Sequence, residues 1–99
     1  MPVYLVVEIE VLNADLYAKY VENVATIVTK YGGRYRVRGG PVTSLAGGWN
    51  PERIIIAEFP SPEEVRRWLS STEYRTLAPL REASALSRAI LLEGYGGGQ

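Results

Sequence analysis

Lys30-Tyr31-Gly32-Gly33-Arg34-Tyr35-Arg36-Val37-Arg38-Gly39-Gly40 joins the end of one element to the whole of the next. The Gly32-Gly33 pair stops a helix, because glycine takes the left-handed conformation at low cost. The following run has arginine at every second position. Strict alternation puts Tyr35 and Val37 on one sheet face and Arg34, Arg36 and Arg38 on the other. Three guanidinium groups on one face call for acidic partners, a polar ligand or water. Glu8 and Glu58, on strands expected alongside, are the acidic candidates.

Outward from this stretch, Val3, Leu5, Val7, Ile9 and Val11 alternate with Tyr4, Val6, Glu8 and Glu10, the period of a half-buried strand. Asn13 caps a helix whose Leu16, Tyr17, Tyr20, Val24, Ile27 and Tyr31 share a face. After the arginine strand, Gly39-Gly40-Pro41 bends or interrupts the chain, with a bulge expected, before residues 42–46; Gly47-Gly48-Trp49-Asn50-Pro51 reads as a turn. Arg53 to Phe59, carrying Ile54-Ile55-Ile56, reads as a central strand. Ser61-Pro62-Glu63-Glu64 opens a helix with a capping box and proline in the first position, and Val65, Trp68 and Leu69 form its apolar face. Ser70-Ser71-Thr72 breaks it. Residues 73–83 add a helical piece interrupted or begun near Pro79, and residues 87–93 form the last strand.

The order β-α-β-β-α-β predicts an α+β, ferredoxin-like domain with a four-stranded antiparallel sheet in the order 4-1-3-2 and both helices on one face. Residues 1–94 are expected to form this single domain and residues 95–99 a flexible glycine-rich tail. Tyr4, Val6, Ile54, Ile56, Ile90 and Leu92 make the second sheet face too apolar to leave bare. A second copy packed face to face is the expected cover, giving a homodimer that further pairing can enlarge.

Composition narrows the chemistry. Ninety-nine residues, 46% hydrophobic with ten aromatics, build one core. Eleven basic and eleven acidic residues cancel, which removes the usual electrostatic case for nucleic acid. Cysteine and histidine are both absent, so thiolate catalysis, disulfides, Cys- or His-ligated metals and Ser-His-Asp triads are excluded. No loop is acidic enough to suggest a carboxylate metal site, and no cofactor is expected. Without a signal-peptide pattern or an apolar run near about 20 residues, a cytoplasmic protein with no membrane contact is the expectation.

Lys30-Tyr31-Gly32-Gly33, Arg38-Gly39-Gly40, Trp49, Glu58-Phe59-Pro60-Ser61 after an apolar strand, Ser71-Thr72-Glu73-Tyr74 and Leu80-Arg81 occur in one order from Tyr4 to about Gly94. In these features the chain resembles the uncharacterised bacterial family called domain of unknown function 1330. The resemblance implies a dimeric α+β barrel in which two ferredoxin-like sheets enclose a shared barrel. It brings no established catalytic residue.

Three constellations are candidate sites. Glu58 is flanked in the expected sheet by Glu8 on one side and Arg36 or Arg38 on the other; it is the candidate proton-moving group, or an ionised orienting group if arginine dominates. The alternative is a structural ion-pair network. Arg38 beside Gly39-Gly40 suits a carboxylate or phosphate, the glycines admitting a ligand to the backbone, and Arg53 and Arg81 join it if the helix-side loops close over the same end. The alternative is a simple bulge with arginines reaching solvent. Tyr17, Tyr20, Trp68 and Tyr74 wall an apolar pocket, the alternative being core packing, which helical spacing more often means. Trp49 is expected to anchor its loop or the partner subunit. Ser71 has no adjacent base and is not a nucleophile.

These readings lead to a homodimer binding a small anionic or carbonyl-bearing organic molecule through Arg38, Arg53, Arg81, Glu8, Tyr17, Trp68 and Tyr74. The pocket lies between sheet and helices or inside the barrel. One rival is a cofactor-independent isomerase or monooxygenase, in which Glu58 or Glu8 moves a proton and arginine stabilises an enolate oxygen. Another is a structural or regulatory dimer without catalysis.

Overall fold

The computed structural model describes residues 1–96. The elements are β1 (Val3–Val11), α1 (Ala14–Lys30), β2 (Arg34–Arg38), β3 (Arg53–Phe59), α2 (Pro62–Ser70), α3 (Thr72–Ser84) and β4 (Ala85–Glu93). Four antiparallel strands lie in the order β2-β3-β1-β4, the ferredoxin-like arrangement. The second crossover carries two helices, separated as expected at Ser70-Ser71-Thr72. Ser71 closes α2 and caps α3, its hydroxyl accepting from Tyr74 N at 3.1 Å. α3 runs on through Pro79, which is exposed on its outer side, so the break expected there is absent.

Local chemistry sets the remaining ends. The Asn13 side chain accepts from Leu16 N, and that of Ser61 accepts from Glu64 N. At the C-terminus of α1, Gly32 N bonds Thr29 O and Gly33 N bonds Val28 O, with Gly32 at φ 81°. This pair of bonds satisfies carbonyls that the helix itself leaves open. Residues 39–52 contain no strand, so Gly39-Gly40-Pro41 ends β2 and the chain stays loop up to β3.

One face of the sheet meets the helices. Val3, Ile9, Ala57, Phe59 and Ala85 from the strands are buried there with Tyr17, Tyr20, Val24, Val28, Val65, Trp68, Tyr74 and Leu77 from the helices. The opposite face carries Tyr4, Val6, Ile54, Ile56, Leu86, Ile90 and Leu92. Ile90 is 58% exposed and Leu92 47% exposed on it.

The bulge lies earlier than expected. Arg34 pairs with Glu58 and Tyr35 with Ala57, but Val37, not Arg36, pairs with Ile56, and Arg38 with Ile55. Arg36 is the extra residue, and beyond it the alternation reverses. Val37 turns to the open face and Arg38 to the helix face, beside Tyr35. The assignment of Arg34, Arg36 and Arg38 to one face is therefore corrected. Of the tail expected over residues 95–99, Gly97, Gly98 and Gln99 lie outside the described residues. Just before it, Gly94 N is bonded to Pro2 O at 2.8 Å.

Candidate functional site

Between helices and sheet is a chamber of about 280 Å³. Leu5, Val7, Ile55, Val24 and Val28 supply aliphatic wall, Tyr17, Tyr20, Tyr35, Trp68 and Tyr74 the aromatic wall, and Arg38, Arg53, Arg81 and the Glu8-paired Arg88 the charge. No carboxylate lines it among the described residues.

Each charged group has a local reason for being there. Arg38 reaches the chamber because the Arg36 bulge turns it inward; its guanidinium lies 4.5 Å from the Tyr35 ring centroid and donates to Val21 O at 3.1 Å. That bond ties β2 to α1. Arg53, at the start of β3 opposite Ile9, lies 5.4 Å from the Tyr17 ring centroid. Arg81 projects from α3 and donates from Nη1 to Ser87 Oγ on β4. None of the three is ion-paired among the described residues, whereas Arg36, Arg66, Arg67, Arg88 and Lys30 all are. Gly39 makes room for Arg53: a Cβ at Gly39 would overlap the Arg53 guanidinium, while one at Gly40 would meet nothing within 4 Å.

The aromatic residues form a connected set. Trp68 and Tyr74 have ring centroids 4.5 Å apart, and the Tyr20 and Tyr74 hydroxyls are 3.2 Å apart. Burial pushes the Tyr20 phenol well above its ordinary value near 10, with Tyr74 adding to the shift. Burial also raises Tyr17, against the opposing pull of Arg53, Arg38 and Arg81, and raises Tyr35 against Arg38. These three phenols are therefore neutral at physiological pH. Two buried donors, Trp68 Nε1 and Arg81 Nε, have no hydrogen-bond acceptor among the described residues.

Glu8 and Glu58 stand apart from this set. Both face the open side of the sheet, where Glu58 accepts from Arg36 Nε at 3.0 Å and Glu8 from Arg88 Nε at 2.6 Å. Glu58 opposes Tyr4 and Glu8 opposes Ile54, so the two carboxylates are not neighbours across the sheet. The grouping of Glu58 with Arg38 is thus corrected: the structure brings Arg38, Arg53, Arg81, Tyr17, Trp68 and Tyr74 together and leaves Glu8 and Glu58 outside. Tyr35 and Ser87 are chamber residues that sequence reasoning missed. Tyr35 carried a signal, since alternation turned it toward the helices; Ser87 carried none. Trp49 is 60% exposed in its loop. Among the described residues no group of three or more metal-ligating side chains occurs, and no helix is long and apolar enough to cross a membrane.

Residues 2–95 match the model of a family described as Domain of unknown function (DUF1330). No curated protein matches the chain. Solved structures share its fold. A protein of unknown function from Rhodopseudomonas palustris is similar at TM-score 0.82 and 21% identity, over 96% of this chain and 83% of that one. A dimeric ferredoxin-like protein of unknown function from Jannaschia sp. CCS1 is similar at TM-score 0.73 and 10% identity, over 95% and 100%. SnoaB, a cofactor-independent oxygenase from Streptomyces nogalater, is similar at TM-score 0.70 and 16% identity, over 98% and 96%.

Proposed function

The chain belongs to the DUF1330 family, and for this member we propose that the chamber between helices and sheet binds a small anionic or carbonyl-bearing organic molecule within a homodimer. One observation carries the reading: three guanidinium groups without carboxylate partners converge on an apolar, aromatic-walled cavity. Arg53 and Arg81 are half-buried and Arg38 is exposed at the mouth, so an anionic or strongly polarised oxygen in the chamber meets positive charge that no carboxylate neutralises. Neutral phenols beside the guanidinium groups add donors without adding opposing charge.

The dimer follows from the other face. Leu86, Ile90, Leu92 and Val37 are all at least 40% exposed there, four charges on that face are matched as Arg36–Glu58 and Arg88–Glu8, and the other two, Arg34 and Glu10, are of opposite sign. An apolar surface with internally neutralised charge suits burial against its own copy. The Jannaschia structure, also dimeric and ferredoxin-like, supports this arrangement.

A second reading, a cofactor-independent oxygenase or isomerase, draws support from the fold shared with SnoaB. Here the guanidinium groups stabilise the oxygen of an enolised substrate. Glu8 and Glu58 lie on the opposite face of the sheet, so in this reading the substrate gives its proton to water and the chamber holds the enolate that results.

Native mass spectrometry and thermal-shift screening against small carboxylic acids, keto acids and quinones test the proposal. One molecule bound per subunit, lost in Arg38→Gln/Arg53→Gln, is the expected result. Binding unaffected by that double substitution would place the site elsewhere. Oxygen consumption with the bound compound separates the second reading from simple binding.

A further inference from the structure

The chamber has one feature that generic anion binding leaves unused. Trp68 is 5% exposed, and its indole Nε1 is buried without an acceptor; the Nε of Arg81 is in the same condition. Both residues line the cavity. They are also neighbours in one cluster, because Tyr74 packs on Trp68 and its phenol interacts electrostatically with Arg81. An indole N–H can only donate, and a guanidinium N–H can only donate. Leaving such groups unmatched in a low-dielectric site is costly, and well-packed proteins seldom do so.

We infer that Trp68 Nε1 and Arg81 Nε form the oxyanion anchor of the chamber and that its ligand is an ionised planar acid, a carboxylate or enolate on an aromatic body. This rests on the chamber reading above and narrows it. An ionised oxygen accepts from several donors at once and matches the guanidinium charge; a neutral carbonyl does only the former. The Trp68 and Tyr74 rings, tilted 51° to each other, and the aliphatic residues of β1 and β3 give the body an apolar, aromatic-walled bed. Arg38 and Arg53 stand beside Tyr35 and Tyr17 at separate positions on the wall, so they attract the anion without supplying this anchor.

Three probes of similar shape separate the possibilities by titration calorimetry: naphthoate, its neutral amide, and a naphthylmethylammonium cation. Naphthoate is expected to bind at least about tenfold more tightly than the amide, and the cation not at all. Trp68→Phe, which keeps an aromatic ring but removes the N–H, is expected to erase most of that preference, as is Arg81→Met. In wild-type protein, naphthoate should move the Trp68 indole proton resonance downfield, a readout that needs no variant. Equal affinity for acid and amide, or a preference that survives Trp68→Phe with the indole signal unmoved, overturns the anchor while leaving chamber binding intact. Failure of all three probes to bind at millimolar concentration overturns the chamber reading with it.

Discussion

Gly39 and Arg53 occupy adjoining space: a Cβ on Gly39 would overlap a guanidinium nitrogen of Arg53 and lie 3.0 Å from its Cζ. Gly39 has φ 79°, a conformation in which a side chain is strained even where there is room. The glycine thus ends β2 and sets the position from which Arg53 reaches over Tyr17. Gly39→Ala is expected to cost about 1–2 kcal/mol of stability and to displace Arg53, weakening naphthoate several-fold. Gly40→Ala, with open space around it, should change neither quantity. Paired denaturant curves and calorimetric titrations check this; equal effects at the two positions would contradict it.

Gly33 makes the opposite kind of contact, with core and not with the chamber. A Cβ there would lie 2.5 Å from Val28 Cγ1 and 2.8 Å from Phe59 Cζ, and both neighbours are fully buried. Neither can retreat without disturbing the junction of α1 and β3. Gly33→Ala is expected to destabilise the fold by about 1–3 kcal/mol, the usual cost of overpacking. A fall in the midpoint of thermal unfolding, with naphthoate affinity kept below that temperature, is the expected result.

These two glycines also show what a sequence reveals and what it hides. Period-two alternation in β1, the Asn13 and Ser61 caps and the Gly32-Gly33 stop are local signals, so element order and sheet order could be read before any coordinates. The Arg36 bulge is not local. Nothing in Arg34-Tyr35-Arg36-Val37-Arg38 marks which residue will lack a partner, because β3 decides it through pairing. A single skipped residue then moved Arg38 to the helix face and separated it from Glu58. Arg81 is a similar case: its approach to Trp68 and Tyr74 depends on α3 continuing through Pro79, where proline chemistry argued for a break.

Tyr20 gives the fold a pH dependence of definite sign. Burial, reinforced by Tyr74, holds its phenol above the ordinary value near 10. The folded chain therefore keeps this proton in a range where the unfolded chain loses it. Stability from this group is fully present below pH 10 and declines as pH rises beyond it, by up to about 1.4 kcal/mol per pH unit. Tyr17 and Tyr35, also raised, act in the same direction. Urea unfolding between neutral pH and pH 11 should show this decline, and Tyr20→Phe should make it shallower. An unchanged slope in the variant would show that Tyr20 does not carry the effect.

Glu58 makes its ion pair with Arg36 on the open face, the two side chains being 22% and 45% exposed. Solvent screens such a pair, and its loss is worth no more than about 1 kcal/mol. Glu58→Gln should accordingly leave naphthoate affinity unchanged, while Arg53→Gln lowers it. Loss of binding in Glu58→Gln would mean that the carboxylate reaches the chamber, against the strand register.

Ile90 stands opposite Val6 in the β1–β4 ladder and is 58% exposed on the face assigned to the partner subunit. If two sheets close on each other, this side chain is buried between them, and a carboxylate there has no cationic partner at hand: Arg88 beside it is committed to Glu8, and Arg34 and Arg36 lie on β2 at the opposite edge of the sheet. Desolvating an unpaired charge would then oppose association strongly. In an isolated subunit the same substitution points into water and costs little. Light scattering at micromolar concentration should therefore give twice the chain mass of 11.0 kDa for the native protein and a single chain mass for Ile90→Asp, with the circular dichroism of the fold retained. A native protein of single chain mass, or a dimer indifferent to Ile90→Asp, would remove this face from the interface.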